Sequence, residues 1–438
     1  MSTVWHSVAQ LSELDGQLAI DGCKATDLVK EFGSPLYVYS ENRIRENYRR
    51  LLNAYRKRYP KFEIYYAVKA NNNPAIVQIL SNEGSGADCS CLGELQIAKD
   101  VGVPADKRLF TGVFPSRKDF IEVLSNGAVL NVDNIDDLDH IIQWGSPDIL
   151  SFRINPDHGA SGEEGLVFAG PDAKFGVSQS RVEEAYTRAK ELGVKRFGVH
   201  MMAGSNVLEP KFFGEVVEKL FDIIGPIAQK LNIRFEFVDI GGSLGVPYYP
   251  DQSELDIEAV AESVTNSFKL KLKEYHLGEP ILIQEPGRYL VADAGVLLTS
   301  VNSIKKGECP FVGVDAGMNT LLRPALYKTY HHILYANNLN APCSRKYHVV
   351  GPICENTDQF ASDRSLPGEI SEEDILAILN VGAYGFCMSS QYNTQPRAAE
   401  LLVWDGKAEV IRKREDMKDI NRNVVIPERL RGARLELW

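Results

Sequence analysis

The sequence predicts an α/β protein in which a parallel (β/α)8 barrel, of the TIM-like kind, is joined to a C-terminal, mostly antiparallel β domain. Three observations predict this architecture. Short β-type runs alternate with stretches of helical period in the first two-thirds of the chain, and the first of these runs begin at regular intervals. After about residue 295, apolar runs continue with Gly, Pro and Asn turns between them. Strands that alternate with helices are typical of a parallel sheet covered by helices.

Eight β-type runs are the predicted barrel strands. The first five begin at residues 64, 86, 108, 128 and 149, and this spacing holds one strand, one helix and two short loops. The eight runs are residues 64–70, 86–90, 108–113, 128–133, 149–155, 196–202, 235–242 and 281–287. Eight such units favour closure into a barrel. The alternative is an open, doubly wound sheet, but no G-x-G-x-x-G pattern follows the first run.

The stretches between the runs have the period of amphipathic helices. In residues 74–84, the apolar residues Ile76, Ile79 and Leu80 lie on one stripe. Residues 92–102 and 116–127 show the same period. We expect these helices to surround the barrel.

We expect three parts along the chain. Residues 41–295 are the predicted barrel, and residues 296–438 are the predicted β domain. Residues 1–40 are an N-terminal segment that is expected to pack with the β domain, to which its run at 36–40 lends a strand.

Composition excludes several classes of protein. Of the 438 residues, 44% are hydrophobic and 24% charged, which is ordinary for a soluble globular protein. The net charge of −11 argues against nucleic acid or an anionic membrane as a partner. The start, MSTVWHSVAQ, does not have the features of a signal peptide. The seven cysteines lack zinc-site spacing, so we expect no metal and reduced thiols in a cytoplasmic protein.

The ends of the barrel strands carry the candidate functional residues, because chemistry in such barrels gathers at the C-terminal face. Lys69 ends the first run, and Asp88 follows in the second. Such a lysine either simply reaches water or is covalently occupied, as Schiff-base lysines are. The turn at 241–245 and the segment 285–288 are rich in glycine, and converging backbone N–H groups in turns of this kind suit a phosphate.

Longer stretches of the chain resemble fold-type III pyridoxal-phosphate decarboxylases, and among them most closely the diaminopimelate decarboxylases. The stretches are YYAVKAN (65–71), GGSLGVPYY (241–249), EPGRYLVADAG (285–295), VDAGMNTLLRPALYKTYHHI (314–333), GPICENTD (351–358) and VGAYGFCMSSQYNTQPR (381–397). They cover nearly the whole chain. The resemblance implies pyridoxal 5'-phosphate as cofactor, a homodimer and an amino-acid substrate.

The resemblance also implies which residues bind the cofactor. Lys69 would hold it as a Schiff base, and Glu285 would face the ring nitrogen and favour its protonated form. Asp88 would lie near the cofactor, and Met202 would lie against its ring. The phosphate would rest on two turns with two nearby side chains; these residues are Gly242, Ser243, Gly245, Gly287, Arg288, Ser205 and Tyr384.

The resemblance further implies the substrate site. Arginine binds carboxylates bidentately, and a diamino diacid presents two carboxylates. The implied substrate-binding residues are Arg288, Arg323, Tyr327, Glu355 and Tyr384. Cys354 is the implied proton donor, and Cys354 and Glu355 are expected to reach the active site of the opposite subunit.

The chain departs from the family pattern in three places, and two of them, Met202 and the loop at 157–176, leave the substrate open. The family usually has a histidine at the position of Met202 and a glycine at the position of Ser243. Ser243 could contact phosphate through its hydroxyl or require an unusual backbone φ. The loop at 157–176 lacks the family's usual pattern.

The reaction implied first is decarboxylation of meso-2,6-diaminopimelate to L-lysine and CO2. Decarboxylation of a related diamino acid or of a siderophore- or carrier-linked amino acid is the alternative within the same chemistry. An alanine-racemase-like activity is less favoured, because proton exchange does not need the electron sink that Glu285 supports. A non-catalytic, decarboxylase-like regulatory binding protein is the alternative of another class, but it would have no use for Lys69, Glu285 and Cys354.

Overall fold

A closed parallel barrel forms the larger part of the molecule in a computed structural model, which describes residues 10–145, 147–156, 160–161, 170 and 173–430. Each barrel strand pairs in parallel with the next along the chain, and the eighth pairs with the first through Leu282 with Phe62 and Gln284 with Ile64. The eight strands are Phe62–Ala67, Gly86–Cys89, Arg108–Phe110, Val129–Val132, Ile149–Asn155, Arg196–Met201, Phe235–Asp239 and Ile281–Gln284. The predicted fold class is confirmed.

Helices surround this barrel. They are Glu41–Arg56, Pro74–Asn82, Leu92–Asp100, Arg117–Ser125, Leu138–Trp144, Val182–Glu191, Pro210–Leu231 and Ile257–Tyr275. Local sequence explains where they begin: the Asn73 side chain accepts a hydrogen bond from the Ala75 N–H, and Pro74 occupies the first helical position. Buried residues of the Pro74–Asn82 helix include Ile76, Ile79 and Leu80, the stripe that the sequence predicts.

The first barrel strand is shorter than the run at 64–70 predicts. It ends at Ala67, and Val68–Ala70 form a single 3-10 turn that carries Lys69. The Lys69 side chain is 44% exposed. An ammonium group inside the packed barrel would be costly without a partner, and the turn directs this one out of the core.

The second domain is a sheet in which most neighbouring strands are antiparallel. Its strands are Leu36–Ser40, Gly295–Lys305, Phe311–Val314, Ile333–Tyr335, Arg345–Val350, Gln359–Leu366, Ile375–Leu379, Ala399–Trp404 and Lys407–Arg412. Parallel pairing occurs between Phe311–Val314 and Arg345–Val350 and between Leu36–Ser40 and Ala399–Trp404. Sequence patterns do not predict the strands Ile333–Tyr335 and Gln359–Leu366.

The N-terminal strand Leu36–Ser40 lies inside this sheet, between Gly295–Lys305 and Ala399–Trp404. A small sheet of Leu11–Leu14, Gln17–Ile20 and Cys23–Lys24 precedes it, followed by the helix Ala25–Phe32. The Leu18 N–H donates to the Ala336 carbonyl at 2.9 Å. We propose 1–40, 41–295 and 296–438 as the limits of the three parts, because the first part joins the third through backbone hydrogen bonds.

Two further findings concern the lengths of the helices and the loop at 157–176. No helix in the described part of the chain is both long and apolar enough to cross a membrane. Most of the loop at 157–176, which departs from the family pattern, lies outside the described residues.

The central position of the N-terminal strand predicts a large effect of truncating its side chains. Leu36 is 0% exposed and packs in the core between the sheet and the N-terminal helix. We expect Leu36→Ala to lower the free energy of unfolding by about 2–5 kcal/mol, because it leaves a cavity. Calorimetry should show a lower midpoint of thermal unfolding than in the wild type.

The matched control is Leu270→Ala, which removes the same atoms from a side chain that is 61% exposed. A surface change of this kind should alter stability by no more than about 0.5 kcal/mol. Equal midpoints for the two variants would contradict a structural role of Leu36–Ser40 in the β domain.

Candidate active site

The amine of Lys69 lies beside a buried carboxylate at the C-terminal rim of the barrel. Lys69 Nζ is 2.9 Å from Asp88 Oδ2, and the Asp88 side chain is 1% exposed. Parallel pairing of Ala67 with Asp88 brings Asp88 beside the turn that carries Lys69. Partial desolvation of the amine at the rim opposes its charge, but attraction by Asp88, Tyr384 and Glu285 outweighs it and raises the pKa of Lys69. The charged form is therefore favoured, and the amine is accessible to a ligand.

Glu285 follows the eighth strand and is 5% exposed. His200 Nε2, from the sixth strand, lies 3.0 Å from Glu285 Oε2 and can donate a hydrogen bond to it. Burial alone would raise the pKa of Glu285, but the charge and hydrogen bond of His200 and the charge of Lys69 lower it below the usual range. An ionised glutamate therefore stands near the Lys69 amine. His200, which the sequence analysis did not include among the site residues, is its direct partner.

Asp239 is a second acidic residue of the site and is not among the residues predicted from the sequence. It ends the seventh strand, is 0% exposed, and its Oδ1 accepts a hydrogen bond from the Gly241 N–H at 2.8 Å. The signal was present in the sequence, because Asp239 ends an apolar barrel strand and Asp88 lies one residue before the end of another.

The turn after Asp239 is shaped by close backbone contacts. A Cβ atom at Gly242 would lie 2.4 Å from the Glu285 carbonyl oxygen, and one at Gly245 would lie 2.8 Å from the Asn206 carbonyl carbon. Ser243 has φ +67°, a left-handed value that favours glycine, and its hydroxyl donates to the Gly204 carbonyl at 2.9 Å. The unusual φ anticipated at Ser243 is therefore present, and its hydroxyl links two turns of the rim.

Met202 and Gly287 complete this part of the rim. The Gly242 N–H lies 3.3 Å from Met202 Sδ, so that the thioether acts as a weak acceptor for the turn. A Cβ at Gly287 would lie 2.8 Å from the Ala70 Cβ. A side chain at Gly287 would therefore push the eighth strand end away from the Lys69 turn.

Two arginines and several tyrosines form a cationic, aromatic cluster beside the Lys69 turn. Arg288 Nη1 donates to the Tyr248 hydroxyl at 2.6 Å, and Arg288 Nη2 donates to Ser205 Oγ at 3.2 Å. The Arg323 guanidinium carbon lies 5.7–5.9 Å from three ring centroids, those of Tyr248, Tyr327 and Tyr384. Both arginines are buried, so the cluster concentrates positive charge where it is poorly screened by water.

The β domain is attached directly to the Lys69 turn. Tyr384 has φ +55°, its N–H donates to the Ala70 carbonyl at 2.7 Å, and its ring centroid lies 5.1 Å from the Arg288 guanidinium carbon. The Cys387 thiol lies 3.4 Å from the Lys69 carbonyl oxygen. The second domain therefore helps to fix the position of the lysine.

A neutral histidine backs the arginine cluster. His331 Nδ1 donates to the Leu379 carbonyl at 2.8 Å, and its ring meets that of Tyr248 edge to face at 5.3 Å. Burial, assisted by the charges of Arg323 and Arg288, lowers the pKa of His331 to about 3. His331 therefore adds no positive charge at neutral pH and acts as a packing partner.

Cys354 and Glu355 lie on the surface of the β domain, apart from this group. The Cys354 N–H donates to Asn393 Oδ1 at 2.9 Å, and the Tyr392 hydroxyl donates to Glu355 Oε1 at 2.7 Å. Both residues are exposed. Within the described residues, neither side chain forms a hydrogen bond or ion pair with the residues around Lys69.

Comparisons with known proteins agree on one family. Residues 45–292 match the family described as pyridoxal-dependent decarboxylase, pyridoxal binding domain. Diaminopimelate decarboxylase of Methanothermobacter thermautotrophicus is 46% identical over 95% of this chain and 97% of its own length. The corresponding enzyme of Archaeoglobus fulgidus is 38% identical over 95% of this chain and 99% of its own length. The crystal structure of diaminopimelate decarboxylase from M. jannaschii in complex with L-lysine is 34% identical, with a TM-score of 0.89 over 96% of this chain and 98% of that chain.

The ion pair with Asp88 predicts how Lys69 reacts in cofactor-free protein. A neutral amine is the nucleophile, and Asp88→Asn removes an attraction that favours the charged form. We expect faster modification of Lys69 by trinitrobenzenesulfonate at about pH 8, by about tenfold for each unit that the pKa falls. Peptide mapping of the modified protein measures the rate at this lysine.

Two controls accompany this measurement. Asp148→Asn changes an aspartate whose side chain is 81% exposed, and it should leave the rate at Lys69 unchanged. Labelling of the exposed Lys418 should be the same in every variant. An unchanged Lys69 rate in Asp88→Asn would show that Asp88 does not control the charge of the amine.

Proposed function

The chain belongs to the pyridoxal-dependent decarboxylases, and from this we propose that it decarboxylates meso-2,6-diaminopimelate to L-lysine. One observation supports this most directly. An accessible lysine, an ionised glutamate and a cluster of two buried arginines meet at one rim of the barrel. Relatives that share this fold over nearly their full length are diaminopimelate decarboxylases.

The residues of the rim fit pyridoxal 5'-phosphate. Lys69 offers an accessible amine to the aldehyde, and the turn at 242–245 leaves no room for side chains at Gly242 and Gly245. Glu285 Oε1 has no hydrogen-bond partner among the described residues, which leaves it available to a ring N–H. When bound, the cofactor delocalises the electron pair that remains on the substrate's α-carbon after CO2 leaves.

Different residues of the protein would hold the aldehyde, the ring and the phosphate of the cofactor. Lys69 would hold the cofactor covalently, with Asp88 beside it, and ionised Glu285 would hold a proton on the ring nitrogen. Met202, beside the Gly242 turn, would pack against the ring as a polarisable, uncharged side chain. The phosphate-binding residues that we propose are Gly242, Ser243, Gly245, Gly287, Arg288, Ser205 and Tyr384.

The arginine cluster would select a substrate with two carboxylates. Arg288 and Arg323 each lie within 6 Å of the Tyr384 ring centroid, at 5.1 and 5.8 Å. Their guanidinium groups can bind carboxylates bidentately. Tyr327, beside Arg323, would complete the pocket. Lysine itself lacks the second carboxylate, so the product would bind more weakly than the substrate.

We further propose that the active unit is a homodimer with shared sites. Cys354 and Glu355 are exposed, and Glu355 is oriented by the hydroxyl of Tyr392. In a dimer, each chain would supply Cys354 as proton donor to the substrate carbon in the other chain's site, and Glu355 would bind the substrate amine.

The cytoplasm is the proposed location. All seven cysteines are free thiols, as is usual in a reducing compartment. A net charge of −11 argues against binding to nucleic acid.

A panel of amino acids tests the substrate. We expect cofactor-loaded protein to release CO2 from meso-2,6-diaminopimelate at least about tenfold faster, in kcat/KM, than from lysine, ornithine or an N-acylated lysine. Loss of one arginine–carboxylate pair accounts for a difference of this size. CO2 and amine products are scored together.

Lys69→Ala is the control for this panel and should show neither turnover nor the visible absorption band of covalently bound cofactor. Preference for another diamino acid would establish the alternative decarboxylase activity. No turnover of any amino acid by cofactor-loaded wild type would favour a non-catalytic binding protein.

Mixing two inactive variants tests the shared site. Lys69→Ala and Cys354→Ala chains, mixed and allowed to exchange, should recover about a quarter of wild-type activity. The reason is that half of the dimers are mixed and each mixed dimer has one intact site. Activity is measured after mixed dimers have been demonstrated by mass spectrometry.

Cys343→Ala is the matched control, because Cys343 is also an exposed thiol and lies in the same domain. It should retain activity without mixing. Absence of recovery in demonstrated mixed dimers would place each site within a single chain.

A further inference from the structure

Asp239 is a buried acid whose second oxygen lacks a partner. Its Oδ1 accepts the Gly241 N–H at 2.8 Å, whereas its Oδ2 has no hydrogen-bond partner among the described residues. The residue is 0% exposed, so water does not solvate that oxygen. Buried polar atoms without partners are uncommon in native proteins and call for an explanation.

Glu285 presents the complementary arrangement. Its Oε2 lies 3.0 Å from His200 Nε2, whereas its Oε1 also has no partner among the described residues. One polar atom from each of His200, Asp239 and Glu285 lies within 4.8 Å of the other two. Two ionised carboxylates at this distance in a dry site repel each other, whereas one shared proton converts the two orphan oxygens into a donor and an acceptor.

The surrounding charges decide which acid carries the proton. His200 and Lys69 both favour ionised Glu285. Three groups interact with Asp239. They are Glu285, which follows the eighth strand, Asp88 of the second strand and the neutral Tyr65 hydroxyl of the first strand. Burial and the negative charges of Glu285 and Asp88 raise the pKa of Asp239 well above its usual range. The proton therefore resides on Asp239.

We propose that Asp239 is a positioning residue that, as a neutral acid, donates a hydrogen bond from Oδ2 to Glu285 Oε1. This inference rests on the proposed function, in which Glu285 faces the cofactor ring. Donation by Asp239 fixes the carboxylate plane of Glu285 and supports its charge without adding a second negative charge beside the ring nitrogen. The remaining lone pair of Oε1 still accepts from the ring N–H, since each carboxylate oxygen has two.

Backbone contacts join Asp239 and Glu285 into one unit with the glycine turn. The Glu285 N–H donates to the Gly241 carbonyl at 2.9 Å, and the Gly241 N–H in turn donates to Asp239. A Cβ at Gly242 would lie 2.4 Å from the Glu285 carbonyl oxygen. Asp239 therefore holds the turn proposed to bind phosphate and the acid proposed to face the ring in a fixed relation.

Two variants test whether Asp239 acts through the two hydrogen bonds or only through its size. Asp239→Asn preserves both hydrogen bonds, because the amide oxygen can accept from the Gly241 N–H and the NH2 group can donate to Glu285. Asp239→Leu is similar in size and preserves neither bond. The proton is observed directly by infrared difference spectroscopy of cofactor-free protein at neutral pH, where a neutral carboxyl group has a C=O stretch that a carboxylate lacks.

We expect a neutral-carboxyl band in the wild type that is absent from Asp239→Asn. With cofactor bound, we expect kcat of Asp239→Leu to fall by about a hundredfold, the cost of misplacing a reacting group by about 1 Å. Asp239→Asn should restore kcat to at least about tenfold above the leucine variant, and only the leucine variant should show a shifted pH profile of the cofactor's visible band.

Three results would overturn the proposal. They are a wild type without the neutral-carboxyl band, an asparagine variant that keeps it, and an asparagine variant with the same kcat and shifted pH profile as the leucine variant. If the leucine variant does not fold, the infrared comparison of wild type and asparagine variant still decides. The infrared result does not require turnover, so failure of the proposed function would be recognised separately, as absence of decarboxylation in a wild type that has the band.

Discussion

Closure of the barrel between its first and eighth strands is the constraint on which the rest of the site depends. Parallel pairing of Leu282 with Phe62 and of Gln284 with Ile64 places the turn that carries Lys69 beside the segment that begins at Glu285. More than two hundred positions separate these segments in the chain, and the sheet register makes them neighbours. Glycine at 287 permits the contact, because any side chain there would collide with Ala70 and Ala67.

Once the strand ends are neighbours, electrostatics assigns a charge to each group. Lys69 and Glu285 favour each other's ionised forms, and His200 adds to the stabilisation of Glu285. Asp88 pairs with the lysine, while the negative charge of Glu285 acts on Asp239. Five titratable side chains, those of Lys69, Asp88, Asp239, Glu285 and His200, therefore meet at this rim, where Lys69 interacts favourably with both Asp88 and Glu285. Unpaired charges in such a low-dielectric site would be penalised.

The β domain belongs to the same functional unit as the barrel. Tyr384 reaches from it to the Ala70 carbonyl and to Arg288, and the domain itself contains the N-terminal strand Leu36–Ser40. The chain thus contributes the strand Leu36–Ser40 to the β domain, then forms the barrel, and afterwards forms the remaining strands of the β domain. Cys354 and Glu355 are exposed on this domain, and the roles proposed for them depend on the proposed homodimer.

The sequence alone determined the barrel, the β-rich second domain and the place of Lys69 after the first barrel strand, because hydrophobic period, strand spacing and long family motifs are local properties of the chain. Local patterns also located the glycine turn and Glu285. Tertiary structure alone decided that His200 bonds to Glu285 and that Asp239 faces it, since both contacts join different strands. Tertiary structure also decided that Gln359–Leu366 forms a strand. Its sequence is polar and has no clear period, but it pairs with Arg345–Val350 through an irregular register. Charge states follow from burial and neighbours in space, which the order of residues does not specify.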